Sequence, residues 1–288
     1  MADAVGSPGW RRRALWVVLA GVPVAFLAVF FAYPVLTLLW RGLGEGSALD
    51  VIRRRSTGRL VTFTVLQAAA SAVLSVLVGL PAAWATARVA LPGRRILRAL
   101  LIVPFVLPTL VVGAALQATF ERLGFDGRRG PDLDGTVTAI LLAHMVLNVA
   151  VVVRVVGSHW ALIDPRTEEA ARVLGASRWR VWREVTAPRL APAVLGAAGI
   201  VFLFCFTSFG VILTVGGPGN PTLETEIWRY ATRRTDIATA TALALLQMVV
   251  VVGLVVVVGG LERRAAGTVA HRPVPPAPLS TWRRRIGV

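Results

Sequence analysis

The residues able to do chemistry are few, and their distribution fits docking rather than catalysis. In EAARVLGASRWRVWREVTAP, from Glu169 to Pro188, a carboxylate is followed by Ala170 and Ala171. Gly175 follows after three intervening residues, and the segment closes on Val185, Ala187 and Pro188. Small alanines let another backbone approach closely, and glycine supplies a turn that a Cβ would obstruct. All 31 basic residues are arginine. Without lysine there is no Gly-Lys-Ser/Thr phosphate loop and no Schiff-base amine. If ATP powers this protein, another subunit binds it. His144, His159 and His271 are scattered, and the single cysteine, Cys205, sits in an apolar run. No metal-ligand spacing results, no intramolecular disulfide can form, and no cofactor is implied.

The elements that hold these residues are apolar and long. The chain is 56% hydrophobic, above the roughly 45–50% of a soluble domain. The apolar residues come in blocks of the length that spans a bilayer as a helix. Six spans are expected, at 14–40, 60–87, 97–119, 136–157, 191–214 and 239–260. Pro23, Pro34, Pro104 and Pro108 interrupt them, which membrane helices tolerate where neighbours re-satisfy the freed carbonyls. The first block follows Trp10-Arg11-Arg12-Arg13 but is too long for a signal sequence, so it reads as a retained helix.

Arginine bias gives the orientation. With the N-terminus cytoplasmic, 20 arginines fall inside and 11 outside. Both termini are then cytoplasmic. Arg53, Arg54, Arg55 and Arg59 run against the bias, because they fall outside, before the second span.

The polar segment between the fourth and fifth spans reads as two short helices. Asp164 or Thr167 caps the first, with Pro165 in its first turn and Glu168 and Glu169 behind. Gly175 ends it at the C′ position. Ser177 caps a second helix through Trp179, Trp182 and Val185, and Pro188 opens the fifth span. The pattern also matches a DNA-binding helix-turn-helix. Here, however, it is only about 30 residues long and is fenced by membrane spans, leaving no third helix to complete a core. No nucleic-acid partner is expected. The basic balance suits loops facing anionic lipid headgroups.

The skeleton Glu169-Ala170-Ala171, Gly175, Pro188 resembles the "EAA loop" of the membrane-spanning subunits of bacterial ABC importers. The family's usual Ile-x-Leu-Pro ending here reads Val185-Thr186-Ala187-Pro188. Leu80 to Leu116 is similar to the second and third spans of these permeases. Phe206 to Tyr230 is similar to the thiamine and iron(III) permeases, in which a Phe-Thr-Ser-Phe-like helix runs into a Gly-Gly-Pro-Gly-like external loop. The resemblance implies an all-α integral membrane fold of six transmembrane helices, with a helix-turn-helix-like cytoplasmic coupling loop between helices 4 and 5. It divides the chain into a basic N-terminus (1–13), a permease domain (14–262, coupling loop about 158–190) and a Pro/Arg-rich tail or linker (263–288). Glu169, Ala170, Ala171, Gly175 and Pro188 would contact the ATPase, Glu169 foremost.

The implied partners are a second permease subunit or half, two ABC ATPase subunits, an extracytoplasmic substrate-binding protein and the bilayer. The implied cargo is a small solute, iron(III) or thiamine favoured, so the chain is a transport subunit and not itself an ATPase. Many permeases of this group join two six-helix halves. The tail, with Thr281-Trp282-Arg283-Arg284-Arg285 echoing Gly9-Trp10-Arg11-Arg12-Arg13, leaves open a second half encoded elsewhere or an ordinary basic tail.

Polar residues within the spans are candidates for a translocation path: Gln117, His144, Asn148, Thr207, Ser208 and Gln247, with Gln67, Ser71, Ser75 and Thr214. His144 and Asn148 lie one helical turn apart on one face, where hydrogen bonding between helices is the more ordinary role. A self-contained channel or secondary transporter is the alternative, but such proteins often carry intramembrane acids or inverted repeats. Neither is evident within these spans.

Overall fold

A computed structural model describes residues 9–44, 48–89, 93–125, 127 and 130–267. The tail from 268 onward and the first eight residues lie outside the described residues. Among the described residues every regular element is helical. The N-terminal helix α1 (Gly9–Leu27) passes through a π-helical turn, Ala28–Ala32, into α2 (Tyr33–Gly44). Then come α3 (Ala48–Arg53), α4 (Arg55–Arg88), α5 (Arg94–Val106), α6 (Thr109–Leu123) and α7 (Val137–Leu162). They are followed by α8 (Pro165–Val173), α9 (Arg178–Val181), a π-helical turn Trp182–Thr186 and α10 (Ala187–Phe206). The chain ends with α11 (Gly210–Val215), α12 (Leu223–Trp228), another π-helical turn and α13 (Ile237–Gly267).

Among the described residues, five stretches are long and apolar enough to cross a membrane: Val17–Thr37, Arg55–Arg88, Val137–Leu162, Arg178–Phe206 and Ile237–Arg264. The expected third span, 97–119, is not one straight helix. Ala99–Val106 and Thr109–Leu123 meet at a bend of 108°. Pro108 is the cause. Its ring excludes a helical conformation at Leu107, its own ψ is 134°, and it N-caps α6. Counted as one broken span, this pair makes six.

The fifth span also departs from 191–214. It begins further back, because α9 runs through the π turn into α10 without a stop, and it ends at Phe206. Pro188 therefore lies in the first turn of α10 rather than starting a new helix. The π turn, with Ala187 N–H donating to Trp182 O, widens the helix just before the proline.

The residues group into two compact units. One comprises Met1–Ser71, Leu107–His144 and Leu203–Val252, the other Ala72–Val106, Met145–Phe202 and Gly253–Val288. In the first, α6 and α11 pack at very short range. A Cβ on Gly113 would meet Thr214 Oγ1 at 1.9 Å, and one on Gly210 would meet Thr109 Oγ1 at 2.2 Å. The segment after α11, which holds the Gly-Gly-Pro-Gly-like stretch, packs into this unit. Leu223 is fully buried and its N–H donates to Thr64 Oγ1 at 3.1 Å, while Asn220 Nδ2 donates to Gly135 O at 2.7 Å. In the second unit α4 and α7 touch at Gly79, where a Cβ would lie 2.6 Å from Val152.

Candidate coupling site

The polar segment forms two helical pieces joined by a tight turn, all within the second unit. Asp164, not Thr167, is the N-cap of α8: its carboxylate accepts from Arg166 N–H at 2.9 Å, with Pro165 at the first helical position. Thr167 Oγ1 donates to Asp164 O instead. The helix closes in a Schellman motif. Ala176 N–H donates to Ala171 O at 3.0 Å and Gly175 N–H to Arg172 O at 2.9 Å. Gly175 has φ +86°, and a Cβ there would meet nothing within 4 Å. Its requirement is purely conformational. Ser177 Oγ then accepts from Arg180 N–H, capping α9.

The turn presents an apolar knob to solvent. Val173 and Leu174 are 87% and 88% exposed, and Trp179, also exposed, stacks on Trp182 at 5.0 Å. Glu169, Ala170 and Gly175 are exposed beside this knob, Ala171 is half-buried, and Pro188 is exposed in the first turn of α10. Glu169 makes no hydrogen bond or ion pair with a described residue.

The neighbouring Glu168 does the opposite, and sequence reasoning missed it. One of its carboxylate oxygens accepts from Thr186 Oγ1 at 3.0 Å and from Arg88 Nη2 at 3.4 Å. Arg189 donates to Thr167 Oγ1 at 2.6 Å, and His159 Nε2 lies 3.1 Å from Arg189 O. Helix α8 is thus tied to the end of α4, the end of α7 and the start of α10. A force applied to the loop reaches three long helices through short, partly buried polar links. A cleft of about 690 Å³ opens beside these links, between Trp84, Arg88, Trp160 and Trp182.

The candidate path residues divide. His144 is buried and its Nδ1 lies 3.1 Å from Ser71 Oγ. Asn148 is buried one turn further along α7. Gln67 donates to Cys205 O at 3.0 Å. Gln117 donates to Thr214 O and to Asp134, both at 2.9 Å, and Gln247 donates to Glu224. Thr207 is exposed and bonds its own helix at Leu203 O, whereas Ser208 is buried at the break before α11. Ser75 Oγ is buried with no hydrogen-bond partner among the described residues. Gln67, Ser71, Gln117, His144 and Gln247, half of the ten candidates, are thus engaged in helix-to-helix or helix-to-loop bonds. No three His, Cys, Asp or Glu side chains gather as a metal site among the described residues.

A broken, multi-span helical fold carrying an exposed knob on a polar loop is the form of an importer permease. The chain belongs to the family of binding-protein-dependent transport system inner membrane components, whose profile matches residues 75–266. It is 30% identical over 267 residues to the thiamine transport system permease protein ThiP of Escherichia coli, covering 90% of this chain and 48% of that protein. It is also 30% identical over 213 residues to the sulfate transport system permease protein CysT of Salmonella typhimurium, covering 72% of this chain and 76% of that protein. The chain thus spans about half the length of the thiamine relatives it matches. Among solved structures, a bacterial ABC transporter that imports alginate has a chain matching with a TM-score of 0.70 at 17% identity. The match covers 88% of this chain and 96% of that one. The methionine transporter MetNI matches with a TM-score of 0.57 at 16% identity, over 74% of this chain and 99% of that one. The fold is the type I ABC permease fold.

Proposed function

We propose that this chain is the membrane-spanning permease subunit of an ATP-driven importer, and that the loop 158–190 couples it to a separate ATPase. The observation that carries this reading is the Val173–Leu174 knob. It is almost fully exposed beside Glu169, which pairs with no described residue, on a helix end bolted to the spans through Glu168. An apolar knob seats in a groove of the ATPase, and Glu169 pairs with a donor at the rim. Movement of that groove pulls α8, and Glu168 passes the pull to α4 and α10. The spans then rock so that the cavity opens outward and inward in turn.

The assembly holds a second permease subunit or half, two ATPase subunits and an extracytoplasmic binding protein. Residues 14–262 form the permease domain, with a basic N-terminus and a basic tail on the cytoplasmic side. The cargo is a small solute. Thiamine is supported by relatives at 30% identity, but sulfate relatives stand equally close. Iron(III) rests on the sequence resemblance alone. Uptake of labelled thiamine, sulfate and iron(III), in cells with and without this chain, tests the solute. Recovery of an ATPase subunit with the purified chain tests the assembly, and its repeated absence would favour a self-contained transporter.

A further inference from the structure

The arginines at 53–59 have no part in the coupling surface, and they oppose the charge bias that keeps arginine cytoplasmic. A local reason is visible in the first unit. A pocket of about 420 Å³, within the range of small-ligand sites, opens where α3 meets α4, against the segment 219–230 and the start of α13. Arg54 and Arg59 line it, both exposed; neither side chain makes a hydrogen bond or salt bridge with a described residue, although the Arg54 charge acts on the Asp236 carboxyl.

The other cations nearby are committed. Arg229 pairs with Glu226 at 2.6 Å, which matches the one carboxylate lining the pocket. Arg233 lies over the Trp228 ring at 5.2 Å and Arg234 over the Tyr230 ring at 4.6 Å. Asp236, the remaining acid, caps α13 by accepting from Thr239 N–H at 2.9 Å. Among the hydroxyls, Thr57 is spent on Val51 O at 2.6 Å, while Ser56 on the pocket wall is not.

Two guanidinium forks and a hydroxyl, none of them hydrogen-bonded through its side chain to a described residue, therefore line a concave space with apolar walls at Phe63 and Leu243. Guanidinium forks match the planar pairs of oxygens on sulfate, phosphate and carboxylate groups. We propose that Arg54, Arg59 and Ser56 form a binding site for a tetrahedral oxyanion, either free in solution or carried on a phospholipid headgroup. The site is independent of the coupling reading and of the imported solute.

The test uses the full chain with its co-purifying partners in a maltoside detergent, which carries no phosphate. Chloride is replaced by sulfate or phosphate at fixed ionic strength, and thermal stability is followed. A ligand that binds only the folded state raises the melting temperature saturably. The wild type should show such a rise. Arg54→Gln and Arg59→Gln should weaken the apparent affinity at least tenfold, while Arg55→Gln, whose residue does not line the pocket, should not. Arg59→Lys keeps the charge without the fork and should fall between.

Repeating the titration with phosphatidylglycerol added to the micelles separates the sources. An unchanged affinity identifies a free anion, and a several-fold weaker one, lost in Arg59→Gln, identifies a headgroup competitor. No saturable response in lipid-free detergent, or an equal loss in Arg55→Gln, overturns the site.

Discussion

Glu168 and Glu169 are chemically the same and adjacent, yet the fold gives them opposite jobs. A helix turns about 100° per residue, so one carboxylate faces Arg88 and Thr186 while the other faces solvent. Glu168→Ala should strand partly buried donors and cost about 1–3 kcal/mol, lowering the melting temperature of the purified chain. Glu169→Ala should leave that temperature unchanged. Equal effects in a melting experiment would mean the two roles are misassigned.

His144→Gln should likewise reduce stability by removing the bond to Ser71, without altering solute affinity. A large affinity change at normal protein levels would place His144 in the path. Asp236 has a pH signature. Hydrogen bonds from Thr239, and then the charges of Arg54 and Arg234, hold its carboxyl below the ordinary aspartate value. Its stabilisation is therefore complete above that ordinary value, near 4. It fades only as pH falls through the lowered one. In acid titrations, Asp236→Asn should lack this increment at neutral pH and lose less on acidification.

At the scale of elements, the long spans were legible because blocks of about 20 apolar residues leave few alternatives to a membrane helix. The loop helices were legible because Asp164-Pro165, Gly175 and Ser177 are position-specific signals for starts and stops. The bend at Leu107–Pro108 was not. Hydrophobicity runs unbroken through Ile102–Val112, so composition shows a span where backbone sterics dictate a corner. The packing of the segment 216–236 was not legible for the converse reason. Its glycines, prolines and charges look like solvent loop, and its burial depends on Thr64 and Gly135, more than 80 residues away. Glu168 was invisible because its partner Thr186 is set by the turn at Gly175, not by any local pattern. Close helix contact gives a test at this scale. A side chain at Gly79 would collide with Val152, so Gly79→Leu should cost about 1–3 kcal/mol through overpacking, read as reduced thermal stability.

Across the whole molecule, arginine bias predicts the sidedness that the mechanism needs. Cysteines introduced at positions 48 and 220 should react with an impermeant reagent in intact cells, and those at 177 and 267 should not. Position 177 is the critical one, because a coupling loop outside the cell could not meet an ATPase. The most direct measurement of coupling combines Gly175→Val and Glu169→Ala, scored for uptake and for ATPase retention. Gly175→Val places a β-branched residue at φ +86°, a local strain of roughly 1–2 kcal/mol with no clash. Both variants should therefore insert and accumulate normally. Both should lose ATP-driven uptake and release the ATPase more readily in detergent. Wild-type uptake and wild-type retention in both would make residues 158–190 an ordinary connector and contradict the account.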